Sequence, residues 1–425
     1  MITPERFNGI VLVLCAMALA SPLVEPVPGN LTIPFWLSRA AGVSLALAGL
    51  VRPRLQRAAL AGVAVLLVAV PAALQAWMRA WTGPATWCHD SVVQFEEAIR
   101  MVRAGRNPYA EDFSGTALPR WRNWADNPAI HHFVYPPFLL ELSIPVEAAS
   151  RAVVPTPKGR ESIAPGFYDQ RIVLLAFFAG LLAVLHALLR DHPCGVGLAA
   201  LVALNPWVGP FVVEGRNDVA PLFFVVAAAL AWRKGREKLG LVLAGLAVAS
   251  KTLFLPAVPF LAVAARAGAV RAGALLLAPL VATSLPFAAA DPGAFYDDLL
   301  GAPSGGGPHP FEIRGWGGLG FANLVLALGL VSSPRAWFPF SIFQAAAGAP
   351  VLVAGLRRLR RQPSWGGALL ASSALIFVLL FFGRFIHDNY IGTLLSTAVL
   401  GGILREAEGP AAAADPAVSA GGAAR

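Results

Sequence analysis

The sequence predicts an all-α fold, a polytopic membrane bundle carrying an extracytoplasmic loop cap. Three observations predict it. Of 425 residues, 57% are hydrophobic and 13% charged, the mean hydropathy is +0.64, and apolar runs recur along the chain. That composition lies outside the range of soluble globular proteins. The net charge of +9 is divided among short clusters between apolar runs, which fits cytoplasmic anchoring and not a nucleic-acid-binding stripe.

The apolar runs fall at 7–24, 35–51, 58–77, 133–153, 171–189, 196–212, 219–232, 239–264, 272–290, 319–331, 336–356, 366–383 and 390–404. A full span needs about 20 apolar residues, so about 11 to 13 segments are expected, some of them too short to cross. The first run lacks a basic leader and an Ala-X-Ala exit and reads as a retained helix. No repeat relates the two halves of the chain. Residues 1–404 read as a single membrane domain, with large outer loops at about 78–130 and 291–318. The Pro- and Ala-rich stretch 405–425 reads as a disordered cytoplasmic tail. Cys15, Cys88 and Cys194 are too scattered for a disulfide framework or a metal site.

Basic loops orient the bundle. Arg52, Arg54 and Arg57, then Arg233, Lys234, Arg236 and Lys238, then Arg357, Arg358, Arg360 and Arg361 belong in the cytoplasm. Residues 78–130 then lie outside, as do 291–318 and the turn with Arg384, His387 and Asp388. These three outer segments can meet over one cavity. Only one apolar run separates the basic loop 233–238 from Arg266 and Arg271, so that run is expected to form a hairpin broken at Pro256 and Pro259, with Lys251 near its apex. Charge parity also requires one segment between 131 and 214 to be re-entrant. The segment beginning Tyr135-Pro136-Pro137 is the leading candidate.

Against this apolar background a few polar residues stand out. Asp90 follows Trp87, Cys88 and His89 and opens a stretch with Phe95, Ala98 and Ile99 at helical spacing, which suggests an amphipathic helix on the outer membrane surface with Asp90 at its N-cap. Its carboxylate either caps that helix or serves as a general base. Tyr109 and Tyr135, each beside proline, are interface anchors or substrate contacts. Glu214-Gly215-Arg216-Asn217-Asp218 places four polar side chains in five positions, either as an internal ion pair of Arg216 or as a substrate site. Lys251 stands alone in an apolar run and is read as the partner of a buried anion such as a lipid phosphate. Arg384, His387, Asp388, Asn389 and Tyr390 crowd a turn that needs only small polar residues. Arg314-Gly315-Trp316-Gly317-Gly318-Leu319-Gly320 contains a G-X-G-X-X-G pattern but follows no strand, so a dinucleotide site is rejected. The adjacent His131 and His132 match no standard ligand spacing with Cys88 and His89, and neither a metal nor a cofactor is expected.

An outward-facing carboxylate and isolated cations in apolar surroundings suit a substrate with a lipid tail, an anionic head and a hydroxyl acceptor. Sugar transfer from a polyprenyl phosphate needs one base for the acceptor and cations for the leaving phosphate. A nucleotide-sugar donor would call for a cytoplasmic domain, which the chain lacks. The alternative is a transporter or flippase for a lipid-linked or anionic solute, with Lys251 and Asp218 binding cargo.

The ordered set Asp90, Gly105-Arg106-Asn107-Pro108-Tyr109, Tyr135-Pro136-Pro137, Leu204-Asn205-Pro206, Gly215-Arg216-Asn217-Asp218 and Lys251 with Pro256 resembles the GT-C superfamily of membrane glycosyltransferases. Within it the chain is most similar to bacterial polyprenol-phosphate-mannose-dependent mannosyltransferases and glycosyltransferase family 87. The resemblance covers about residues 85–265. It implies that Asp90 is the catalytic aspartate and that Lys251 lies where cations contact the donor phosphate; Arg216 and Arg384 are read from their charge as further candidates to hold that phosphate. Asn217, Asp218, Tyr109, Tyr135, His387 and Asp388 then bind sugar or acceptor. Arg216 stands where relatives often have His or Gln, and three apolar runs precede Asp90 where many have one. The implied partners are a polyprenyl-phosphate sugar, mannose by family, and a lipid or glycan acceptor.

Overall fold

The computed structural model describes residues 2–21, 29–123, 127–153 and 166–409. These are predominantly helical. The strands among them are one parallel pair of two residues each, Arg314–Gly315 beside Phe385–Ile386. Five helices are long and apolar enough to cross a membrane: Gly29–Val51, Pro53–Thr82, Arg171–Leu189, Ala269–Ala290 and Phe340–Arg361. One apolar core reaches from Val11 to Leu404.

Several apolar runs are shorter as helices than as sequence. The 196–212 run divides into Gly195–Ala203 and Gly209–Glu214. Pro206 cannot continue the first piece, and Asn205 serves the broken backbone: its amide donates to the Leu201 carbonyl at 2.8 Å and its oxygen accepts from Trp207 N–H at 3.0 Å. The 239–264 run forms a helix, Glu237–Ser250, that stops at an extended Lys251 (φ −159°, ψ 123°). A 3₁₀ turn, Thr252–Ala257, and a short helix, Val258–Ala264, then return the chain to Glu237, whose carboxylate accepts Arg266 N–H at 2.7 Å. The hairpin is as expected, but the break falls at Lys251, ahead of both prolines.

The basic loops gather at one end of the bundle. Arg57 donates to the Arg190 carbonyl at 2.6 Å, Arg233 to the Leu188 carbonyl at 2.5 Å, and Trp232 stacks on Trp365 with ring centroids 4.9 Å apart. Asp90 lies at the other end, where His89 N–H donates to the Glu214 carbonyl at 2.8 Å. The Pro137–Val153 helix begins beside Tyr135, and Ser150 in its last turns donates to the Phe167 carbonyl at 2.9 Å. Phe167 leads into Arg171, which itself reaches the Trp87 carbonyl. Both ends of this helix are therefore tied to the Asp90 end of the bundle.

Two expectations are corrected. The Asp90–Arg103 helix has no solvated polar face, because residues 91–99 are buried on every face. Its polar side is covered: Gln94 donates to the Ala129 and His132 carbonyls at 2.8 and 2.6 Å, and Glu96 pairs with Arg79. The tail also begins later than 405. The last helix runs Asp388–Glu408, and the Glu408 carboxylate accepts the Trp365 N–H at 2.9 Å and the Ser364 hydroxyl, closing the N-terminus of the Trp365–Phe381 helix. Residues 410–425 lie outside the described residues.

Glycines set the closest helix contacts, as small residues do between apolar helices. A Cβ on Gly366 would sit 2.4 Å from the Arg405 backbone nitrogen, and one on Gly245 2.5 Å from the Leu276 carbonyl oxygen. Gly366→Val should therefore force the 365–381 and 388–408 helices apart at a cost of about 1–3 kcal/mol, read as a lower Tm of the purified protein.

Candidate functional site

The Asp90 segment is held by buried charge. Arg79 grips Glu96 through two bonds of 2.7 and 2.8 Å and reaches Asp169 at 3.0 Å. Arg171 grips Asp169 in the same forked way, 2.8 Å on each side. All four side chains are at most 7% exposed. The remaining Arg171 donor contacts the Trp87 carbonyl at 3.0 Å and the Val213 carbonyl at 3.2 Å. One guanidinium thus fixes the chain just before Asp90 and just before Arg216. Gly215 completes the junction with φ +90°, and a Cβ there would meet the Val92 side chain at 2.2 Å.

His89 is the N-cap of the Asp90–Arg103 helix, with its Nδ1 3.3 Å from the Ser91 backbone nitrogen and 3.0 Å from the Ser91 hydroxyl. This corrects the expectation that Asp90 caps the helix. Its carboxylate, 13% exposed, lies 2.6 Å from His89 Nδ1 through one oxygen and accepts from the Asn127 amide at 2.9 Å through the other. Burial pushes the Asp90 pKa up, but His89 and Asn127 outweigh it and hold the carboxyl at about 2.

Asp90 lines a cavity of about 580 Å³. Tyr135, Arg216, Asn217, Asp218, Lys251, His387 and Asp388 line the same cavity, as do Leu299, Phe311 and Arg314, so the segments 78–130, 291–318 and 384–388 do meet over it. Tyr135 lies close to the Ser91 side chain and within electrostatic reach of both Asp90 and Asp218. Lys251 is not an isolated cation: its ammonium is 2.5 Å from Asp218 and 4.9 Å from the centroid of the Tyr390 ring. Asp218 also accepts from Asn389 at 2.8 Å. Arg216 pairs with Glu214 at 2.9 Å and Asp388 at 2.7 Å and covers the Phe211 ring at 4.0 Å. Burial, reinforced by the Arg216 cation, lowers the His387 imidazole to about 4, so it is neutral at physiological pH. The buried Asn217 amide nitrogen has no hydrogen-bond partner among the described residues.

Two expected site residues stand elsewhere. Arg384 does not line the cavity. It is buried and donates to the backbone carbonyls of Phe311, Ala336 at 2.9 Å and Pro334 at 3.2 Å, a loop whose acceptors need those donors. Tyr109 is also buried outside the lining. Its hydroxyl donates to the Tyr135 carbonyl at 2.6 Å, and its ring packs on Phe133, Phe287 and Phe295. Both shape the site from behind. Asn127 escaped the sequence reading, and its only signal is the Asn-Pro pair opening a 3₁₀ turn. Arg122, with φ +49°, also lines the cavity unforeseen, and the exposed Arg314 lines it too.

A carboxylate opposite paired cations, in a cavity with apolar walls from Leu253, Pro256, Leu299, Ile376 and Leu379, can deprotonate a hydroxyl beside an anionic, lipid-tailed ligand. Compared with family models, curated proteins and solved structures, the chain matches none.

Two outcomes follow from this geometry. Arg79→Met leaves Glu96 and Asp169 short of a buried partner and should cost about 3–5 kcal/mol, visible as a lower Tm, whereas Asp90→Asn should leave Tm nearly unchanged. For pH, a depressed carboxyl pKa keeps Asp90 charged as pH falls. In a reaction that uses it, Asp90 should stay ionised down to about pH 3, and Asn127→Ala, by raising that pKa, should move the acid limb toward neutrality in a pH–rate profile.

Proposed function

We propose that the chain is a membrane-embedded glycosyltransferase that moves a sugar from a polyprenyl-phosphate donor to a hydroxyl of a lipid-linked or glycan acceptor, with Asp90 as general base. The observation that carries the reading is one cavity whose lining combines the largely buried Asp90 carboxylate with Arg216, Lys251 and the exposed Arg314 among apolar walls. By the charge rule the basic end of the bundle is cytoplasmic and the cavity opens on the other side. The Lys251 hairpin and the Pro137–Val153 helix are then re-entrant, and their backbone ends inside protein or cavity, where polar groups can be satisfied.

In the reaction the acceptor oxygen attacks the anomeric carbon while Asp90 takes its proton. The bond from that carbon to the phosphate oxygen breaks, and the electron pair leaves with the polyprenyl phosphate. A single displacement inverts the anomeric centre. Lys251 and Arg216, already paired with Asp218 and Asp388, are oriented to stabilise the leaving phosphate without being free to collapse onto Asp90. The Asn217 amide and neutral His387 offer hydrogen bonds to the sugar. Mannose is the sugar that the resemblance implies.

The test is transfer of radiolabelled sugar from short-chain polyprenyl phosphates to a membrane glycolipid extract. Asp90→Asn should lower turnover by about 10² to 10⁴ with little change in donor binding. Normal turnover by folded Asp90→Asn protein would sink the base assignment, and binding of lipid without product from any donor would favour a carrier.

A further inference from the structure

The loop 291–318 is fastened to the chain ahead of Tyr135 by a cluster that the reaction above does not use. His132, 4% exposed, meets Asp297 and Asp298 from a π-helical turn, Asp297–Gly301, that lies 165 and more residues further along the chain. Short π turns often mark functional positions, and this one presents two consecutive carboxylates to one imidazole.

The hydrogen bonds set the chemistry of the ring. His132 Nε2–H donates to the His309 carbonyl at 3.0 Å, which fixes a proton on that nitrogen and leaves Nδ1 to hold either a lone pair or a second proton. A backbone carbonyl holding the far nitrogen in this way is the usual outer support of a metal-ligating histidine. Nδ1 faces Asp298 Oδ1 at 2.8 Å and Asp297 Oδ2 at 3.8 Å. A lone pair that close to a carboxylate oxygen is repulsive unless a positive centre lies between them. A proton supplies one charge against two carboxylates, with His132 and Asp298 both buried. A divalent cation with a neutral imidazole balances both.

The dimensions also fit a cation. Tetrahedral bonds of about 2.0–2.1 Å place donor atoms about 3.3 Å apart, between the two observed separations. The three ligand atoms lie within 4.8 Å of one another. The second Asp298 oxygen accepts Phe133 N–H at 2.8 Å, which orients the carboxylate. The Asp297 side chain is 38% exposed and leaves an entry path and a position for water.

We propose that His132, Asp297 and Asp298 bind one divalent transition-metal cation of the zinc class, which clamps the 291–318 loop over the cavity. One imidazole with two carboxylates suits zinc better than magnesium or calcium, which favour all-oxygen shells. The clamp joins the segment leading to Tyr135 to the turn carrying Leu299, both in the cavity wall. Along the chain, His131 and His132 have no partner at ligand spacing. The partners come from a distant loop, so spacing along the chain could not reveal them.

The test uses the full chain without a polyhistidine tag, purified in detergent, stripped with EDTA and titrated with Zn²⁺, Mg²⁺ or Ca²⁺. The expected result is one Zn²⁺ retained per chain after gel filtration, a higher Tm with Zn²⁺ and not with Mg²⁺ or Ca²⁺, and at least about tenfold weaker Zn²⁺ binding in Asp297→Asn. The exposed Asp297 makes this variant the one least disturbing to folding, and Asp112→Asn, which removes the neighbouring partner of His131, should bind Zn²⁺ as wild type does. Failure to retain stoichiometric Zn²⁺, or retention unchanged in both Asp297→Asn and His132→Gln, would overturn the proposal and leave a proton as the bridge. Neither readout depends on glycosyl transfer.

Discussion

Everything at the Asp90 end of the bundle hangs on the buried ion network of Arg79, Glu96, Asp169 and Arg171. Charges taken out of water are tolerable only when paired with good geometry, and here each guanidinium grips a carboxylate with a two-pronged fork. The network joins the end of the Pro53–Thr82 helix, the Asp90–Arg103 helix and the start of the Arg171–Leu189 helix. Because Arg171 also holds the Trp87 and Val213 carbonyls, the same interaction places Asp90 and Arg216 in the walls of one cavity.

Broken helices supply the polar floor. An unbroken helix in an apolar bundle satisfies its own backbone and offers nothing to a ligand. The chain is interrupted at Asn205, at Gly215 and at Lys251, and the last two breaks bring side chains into the cavity. Each break is served locally: Asn205 by its own amide and Gly215 by its left-handed backbone. The extended Lys251 is held through its side chain on Asp218. Irregular backbone is thereby confined to places where protein or the cavity meets its hydrogen-bonding needs.

The cavity separates its charges by pairing. Asp218 and Asp388 partly neutralise Lys251 and Arg216, which keeps cations and Asp90 in one space without a direct salt bridge between them among the described residues. A bare lysine there would seek the nearest carboxylate, and a bare Asp90 would take up a proton. His89 and Asn127 prevent the second outcome, as Asp218 prevents the first. Arg384 and Tyr109 serve the same end more remotely, because they hold the backbone of the loops that close the cavity.

The sequence by itself determined the all-helical class, the gathering of basic loops, a hairpin with Lys251 near its apex and the charged residues of the cavity wall, because apolar length and isolated charge are local signals that lipid makes costly to ignore. It also marked Asp90, Arg216, Asn217, Asp218, Lys251 and His387, each a polar residue where the background is apolar. Tertiary structure alone decided which neighbour each would meet. Arg384 and Tyr109 look like site residues until backbone carbonyls claim their donors. Asn127 is unremarkable until it meets Asp90, and His132 has no ligand partner until the loop 291–318 folds over it. The burial of the Asp90–Arg103 helix was illegible for the same reason: its charged face looks solvated unless one knows that Arg79, supplied by the preceding span, and the carbonyls of residues 129 and 132 cover it. Periodicity reports which face is polar, and only the fold says whether water or protein satisfies it.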